Sequence, residues 1–170
     1  MKPGAALRIL GLDPGTAILG FGVLDVERGS RTHVTHGVIR TPAGTPMGER
    51  LATIAADLAE LLRRYEPDEV AVEQLFFAKN TTTAIAVAQA RGVTLAAVAG
   101  AGIPLFEYTP PQVKQAVGGA GAARKPEVQE MVKRLLKLAA RPTPDDAADA
   151  LAVALTHAVR RGHPGSRRGT

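Results

Sequence analysis

A chain of 170 residues with 45% apolar side chains suffices for one domain with one sizeable core. It carries 21 Lys and Arg against 16 Asp and Glu, a formal charge of +5, which suits a polyanionic partner without separating nucleic acid from an anionic membrane surface. The absence of cysteine excludes disulfides and thiolate metal sites, and four scattered histidines argue against a His-rich zinc site. Carboxylate oxygens would therefore hold any metal, which favours magnesium or manganese. No run of about 20 uncharged apolar residues marks a membrane span. The opening MKPGAALRILGLDPG reads as a first strand rather than a signal peptide, so a cytoplasmic protein without membrane attachment is expected.

Leu7 to Asp13 is a short apolar run closed by Asp13-Pro14-Gly15, as expected of a strand ended by a turn. Gly20 to Val26 and Thr32 to Arg40 follow as two more strands, and short connections predict an antiparallel meander. The period then changes: Leu51, Ile54, Ala55, Leu58, Leu61 and Leu62 recur at helical spacing, predicting a helix from Pro46 to Tyr65 that Pro67 stops. Glu69 to Glu73 (EVAVE) is a fourth strand. From Thr81 to Ala99 the chain is rich in Ala and Val with Arg91 as its lone charge, which predicts a helix buried on several sides or covered by a partner. Pro104 to Tyr108 is the fifth strand, and helices follow at Gln112–Val117, Pro126–Leu138 and Pro144–Arg161. This order predicts an α/β fold, a mixed sheet with helices packed on its faces. The sequence leads us to expect one domain over residues 1–161 and a basic flexible tail over 162–170.

Four acids stand where acids are costly. Asp13 ends the first strand, although Asp-Pro-Gly is also a good turn sequence in its own right. Glu73 ends an apolar strand, either emerging into solvent or facing the crevice that forms at strand ends in α/β sheets. Asp146 and Asp149 lie three apart and so share a helix face. Thr143 as N-cap, Pro144 in the first position and Asp145 and Asp146 at the positive end would account for the first acids as helix-start chemistry. Asp149 resists that explanation, because it lies a turn further in among apolar neighbours, where a carboxylate needs a cation or strong donors. If the four converge, they would repel one another unless divalent metal occupied the cluster.

The segments ILGLDPGT, AVEQLFFAKN, QARGV, FEYTPPQVKQAVGG and DDAADALAVALTH occur in the order seen in the RuvC family of Holliday-junction resolvases, which the chain resembles over residues 7 to 159. LDPG alone is a weak signal, whereas EQLFFAKN with DAADALA at this separation is highly specific. The resemblance implies an RNase H-like fold, with the five strands in one mixed sheet. It implies a homodimer that makes paired symmetric nicks in four-way junction DNA during recombination and repair, with two Mg2+ ions per active site or Mn2+ as substitute. It also implies proteins of a branch-migration complex as partners. By motif position Asp13, Glu73, Asp146 and Asp149 match the family's catalytic, metal-binding acids. Asp145 is an extra neighbour, and the DAAD spacing favours Asp146 over it.

Residues 110 to 141 carry seven basic side chains against Glu127 and Glu130. Lys114, Arg124 and Lys125 flank the loop VGGAGAA, whose backbone could approach phosphate, while Lys133, Arg134 and Lys137 read as a solvated helix face. By resemblance Lys114 and Lys125 match lysines that act near the scissile strand. Phe76 and Phe77 follow Glu73 in a chain with only four Phe. One exposed ring there could stack on unpaired bases or wedge between base steps. Phe76 holds the family position that engages the crossover, and Lys79 and Asn80 complete that motif as phosphate-positioning candidates. Part of the surface of the 81–99 helix would form the two-fold interface. Two other readings remain: an actin-like phosphotransferase, which needs a second lobe to enclose nucleotide, and a non-catalytic junction-binding module.

Overall fold

The computed structural model describes residues 6–74, 81–118 and 125–161. Strands β1 (Leu7–Asp13), β2 (Ile18–Glu27), β3 (Ser30–Arg40), β4 (Glu69–Glu73) and β5 (Leu105–Tyr108) form one sheet in the order β3-β2-β1-β4-β5. β1, β2 and β3 pair antiparallel, and β1, β4 and β5 pair parallel. The meander and the mixed sheet are thus as the sequence predicts. β2 begins two residues earlier than predicted; it also ends one residue later, and β3 begins two residues earlier, because both residues of their connecting turn take positive φ (Arg28 at 49°, Gly29 at 84°). A two-residue turn of that hand matches strand twist and lets pairing run to Glu27 and Ser30.

The helices are α1 (Met47–Tyr65), α2 (Thr81–Gly100), α3 (Pro110–Gly118), α4 (Lys125–Leu135) and α5 (Asp145–Arg161). Alternation along the strands sends successive side chains to opposite faces and so makes two cores. Leu10, Leu12, Val70 and Val72 meet Ile54, Leu58 and Leu62 of α1 and Ala90 and Val98 of α2. Ile9, Leu24 and Ala71 meet Leu151 and Leu155 of α5, with α3 and α4 packed beyond. Helix α1 ends where Glu66 turns left-handed (φ 45°) and its N–H returns to the Leu62 carbonyl, one residue before Pro67. Helix α2 buries Ala90, Thr94 and Val98 at helical spacing but leaves Ile85 60% exposed. Among its described side chains it is therefore buried on one side within this chain, not on several.

Helix α5 is buried almost throughout from Ala147 to Ala158 and lies directly on the sheet. The contact is backbone to backbone. A Cβ built on Gly11 would fall on the Ala150 carbonyl oxygen, and one on Gly20 on the Asp146 carbonyl oxygen. Glycine here is a matter of clearance: β1 and β2 present no side chain where the first two turns of α5 cross them.

Candidate active site

Strand parity brings the acids of β1 and β4 together. Asp13 has the parity of Ile9 and Gly11, and Glu73 that of Glu69 and Ala71, so both point to the face that α5 covers. Leu12 pairs with Val72 in the parallel ladder, which makes Asp13 and Glu73 the next residues of adjacent strands, at their carboxyl ends. Asp13 also pairs with Gly20, and Gly20 is the residue on which the Asp146 backbone rests. The close seat of α5 thereby lowers Asp146 and Asp149 onto the same end of the sheet.

Two adjoining cavities share Glu73. One, of about 220 Å³, is lined by Asp13, Glu73, Gln74, Val87 and Arg91. The other, of about 250 Å³, is lined by Glu73, Lys114, Val128, Asp149 and Ala152. Asp13, Glu73 and Asp149 are half-buried, each opening from its element into this cleft, while Lys114 is exposed beside Glu73 and Asp149. Asp146 is half-buried at the start of α5 and lines neither cavity. Among the described residues, no three carboxylate or imidazole groups stand close enough to share one ion as they are placed. Carboxylates of like charge resist closer approach. The donor set still fits a hard divalent cation: all-oxygen, anionic and part-exposed at the mouth of a cleft.

Asp145 and Asp146 differ in their surroundings. Asp145 is exposed and accepts a hydrogen bond from Gln129 Nε2 of α4 at 2.9 Å, whereas Asp146 sits against β2. Helix α5 begins one residue later than predicted. Its first turn is closed by the Pro144 carbonyl, which accepts from the Ala147 and Ala148 N–H groups, so Pro144 and not Thr143 occupies the capping position. Proline has no side-chain acceptor, and the main-chain carbonyl does the work instead.

Phe76, Phe77, Lys79, Asn80 and Arg124 lie outside the described residues. Lys125 opens α4, and its side chain lies outside them too. Of the residues assigned to a solvated face, Arg134 reaches Glu130 at 3.4 Å with its side chain 70% exposed, as a solvated pair would.

Two groups went unassigned in the sequence. Arg91, in the middle of α2, reaches the cavity of Asp13 and Glu73 and donates to the Glu73 carbonyl at 2.7 Å. Its signal was visible, a single charge on an otherwise apolar helix. Glu69, Tyr108 and His157 form a buried polar chain beneath the C-terminal half of α5, joined by Arg161. No spacing rule links residues 49 and 88 positions apart in this way.

The order β3-β2-β1-β4-β5, with α5 on one face and α1 and α2 on the other, defines an RNase H-like protein. The solved structure of the yeast mitochondrial Holliday junction resolvase Ydc2 shares this fold, with a TM-score of 0.68 over 89% of this chain and 78% of that one at 11% identity. The family model described as crossover junction endodeoxyribonuclease RuvC matches residues 9–157. A relative in Brevibacillus brevis bearing that name is 55% identical over 155 residues, covering 91% of this chain and 93% of its own. One in Thermotoga maritima is 50% identical over 155 residues, 91% of this chain and 92% of its own. The structure of T. thermophilus RuvC in complex with a Holliday junction substrate aligns at a TM-score of 0.86 and 41% identity, covering 91% of this chain and 94% of that one. The chain belongs to the RuvC family.

Proposed function

We propose that this protein is an endonuclease that resolves four-way DNA junctions by metal-dependent hydrolysis of phosphodiester bonds, placing symmetric nicks as a homodimer. The observation that carries the reading is the shared cleft, in which Asp13, Glu73 and Asp149 arrive from β1, β4 and α5 with Lys114 beside them. Family membership and the likeness to a relative solved with a junction support four-way DNA as substrate.

Asp13, Glu73, Asp146 and Asp149 would hold two Mg2+ ions, with Mn2+ as substitute. Such ions, when bound, activate water and stabilise the leaving oxygen. The protein's own groups set the stage. Asp13 and Glu73 are fixed by the ladder of β1 and β4, and Asp146 and Asp149 by the seat of α5 on Gly11 and Gly20. Lys114, exposed at the rim, would neutralise a phosphate of the strand to be cut. Lys125, Arg124, Lys79 and Asn80 are further phosphate contacts and Phe76 and Phe77 base contacts in this reading. The exposed side of α2, with Ile85 upon it, is the surface proposed to meet a second copy.

The test is gel-resolved cleavage of a labelled mobile four-way junction beside linear duplex, in Mg2+, Mn2+ and EDTA. Paired nicks in the junction alone, lost in EDTA, are expected. Tight binding of the junction without cutting in either metal would leave a binding module and refute the nuclease.

A further inference from the structure

The peptide that follows Glu73 is gripped at both ends. Its carbonyl oxygen, that of Glu73, accepts from Nη1 of Arg91 at 2.7 Å. Its N–H, that of Gln74, donates to the Tyr108 carbonyl at 2.7 Å. A peptide unit is planar, so two bonds in opposite directions fix its orientation, and with it the ψ of Glu73 and the direction in which its Cα–Cβ bond leaves the strand. Tyr108 supplies the grip expected of a neighbouring strand. Arg91 does not belong to the sheet, and it comes from α2 on the opposite layer.

Arg91 is itself held. Its Nη2 lies 2.8 Å from Oε1 of Glu107, and Oε2 of Glu107 accepts from Gln74 Nε2 at a longer 3.4 Å. Arg91, Glu107 and Gln74 thus close a ring around the end of β4. The Arg91 side chain is only 13% exposed, and what it shows lines the cavity of Asp13 and Glu73. A planar guanidinium makes both contacts from two nitrogens in one rigid fork, a geometry that the single nitrogen of an ammonium does not reproduce. The fully buried side chains of α2 are Ala90, Thr94 and Val98, so its packing does not run through Arg91 alone.

We propose that Arg91 is a positioning residue for metal binding, acting through the main chain of Glu73 and itself oriented by Glu107. This rests on the reading of Glu73 as a metal ligand. Groups that orient a ligand without touching the metal set its affinity, and losing one weakens binding about 10- to 100-fold.

The experiment is calorimetric titration of the DNA-free protein with Mn2+, for wild type, Arg91→Met and Arg91→Lys, with thermal melting of each. Arg91→Met is expected to keep its fold and bind Mn2+ about 10-fold or more weakly. Arg91→Lys, with the charge on a single nitrogen at the end of a flexible stem, should fall between. Should the methionine variant not fold, the lysine variant decides alone: weaker Mn2+ uptake at an unchanged melting temperature supports the role, and wild-type uptake overturns it. Folded Arg91→Met with wild-type affinity overturns it as well. Wild-type protein that takes up no Mn2+ would refute the metal site itself and the Arg91 role with it, a result distinct from the other two.

Discussion

Nε2 of His157 lies 2.7 Å from Oε2 of Glu69, tying the last turns of α5 to the first residue of β4 within the core. The Tyr108 hydroxyl lies 2.6 Å from Nδ1 of the same ring, and Arg161 reaches both Glu69 oxygens at 2.6 and 2.7 Å. One arrangement satisfies every group: a neutral imidazole donates from Nε2 to Glu69 and accepts the Tyr108 proton at Nδ1. Burial holds the His157 imidazole below its ordinary range, outweighing the pull of Glu69. Burial opposes ionisation of Glu69 too, but hydrogen bonds from Arg161 and His157 prevail and hold that carboxyl below its ordinary range.

Both shifts have the same sign for stability. Below about pH 6.5 the unfolded chain protonates His157 where the folded chain resists, and below about pH 4.3 the same holds for Glu69. Stability contributed by these groups is therefore full at neutral pH and falls on acidification, first through His157. Urea midpoints at fixed protein concentration should decline from pH 7.5 to 5.5. Tyr108→Phe, which strands Nδ1 without a donor, should cost about 1–3 kcal/mol at pH 7.5.

The seat of α5 makes two glycines behave oppositely. Gly11→Ala drives a methyl group onto the Ala150 carbonyl and should cost about 3 kcal/mol or more, lifting Asp149 from the cleft as the helix shifts. Gly92 in the interior of α2 has open space around its Cβ position, so Gly92→Ala should stabilise by about 0.5–1 kcal/mol. Thermal melts of the two variants side by side check both signs.

Lys114 is predicted to act through charge on phosphate. Lys114→Ala should weaken junction binding about equally across sequences and reduce the slope of log affinity against log salt by roughly one. Binding titrations in Ca2+ at several salt concentrations measure that slope. An unchanged slope would remove Lys114 from the interface.

Asp145 and Asp146 are adjacent in sequence but differ in surroundings, one exposed and bonded to Gln129, the other against Gly20. Asp145→Asn should cut junctions at close to the wild-type rate. Asp146→Asn should slow cutting by more than about 10-fold, more than about 1.4 kcal/mol in the barrier. Single-turnover rates of the two variants separate the roles.

Much of this was legible because local signals agreed. The change of period at Leu51, the alternation in EVAVE and the apolar run after Asp149 each point to the element that forms, within a residue or two of its ends. The acids could be suspected one by one from strand ends and helix spacing. Their approach to one another depends on register, Leu12 opposite Val72, and on glycine clearance beneath α5, and neither is written in any local window. The same holds for Arg91. Its charge stood out, but the bond to Glu73 depends on how α2 lies across β4. Thr143 misled because a good capping residue was placed one position before the turn that forms.

Acids from β1, β4 and α5 are proposed to form one metal-dependent cutting centre. Its most direct test is cleavage of a labelled four-way junction in Mg2+ by wild type beside Asp149→Asn, with junction binding measured for both. The account predicts equal binding and cutting slowed by about 10³-fold, roughly 4 kcal/mol in the barrier. Cutting by Asp149→Asn at the wild-type rate would contradict it, leaving Asp149 a structural residue and the centre wrongly placed.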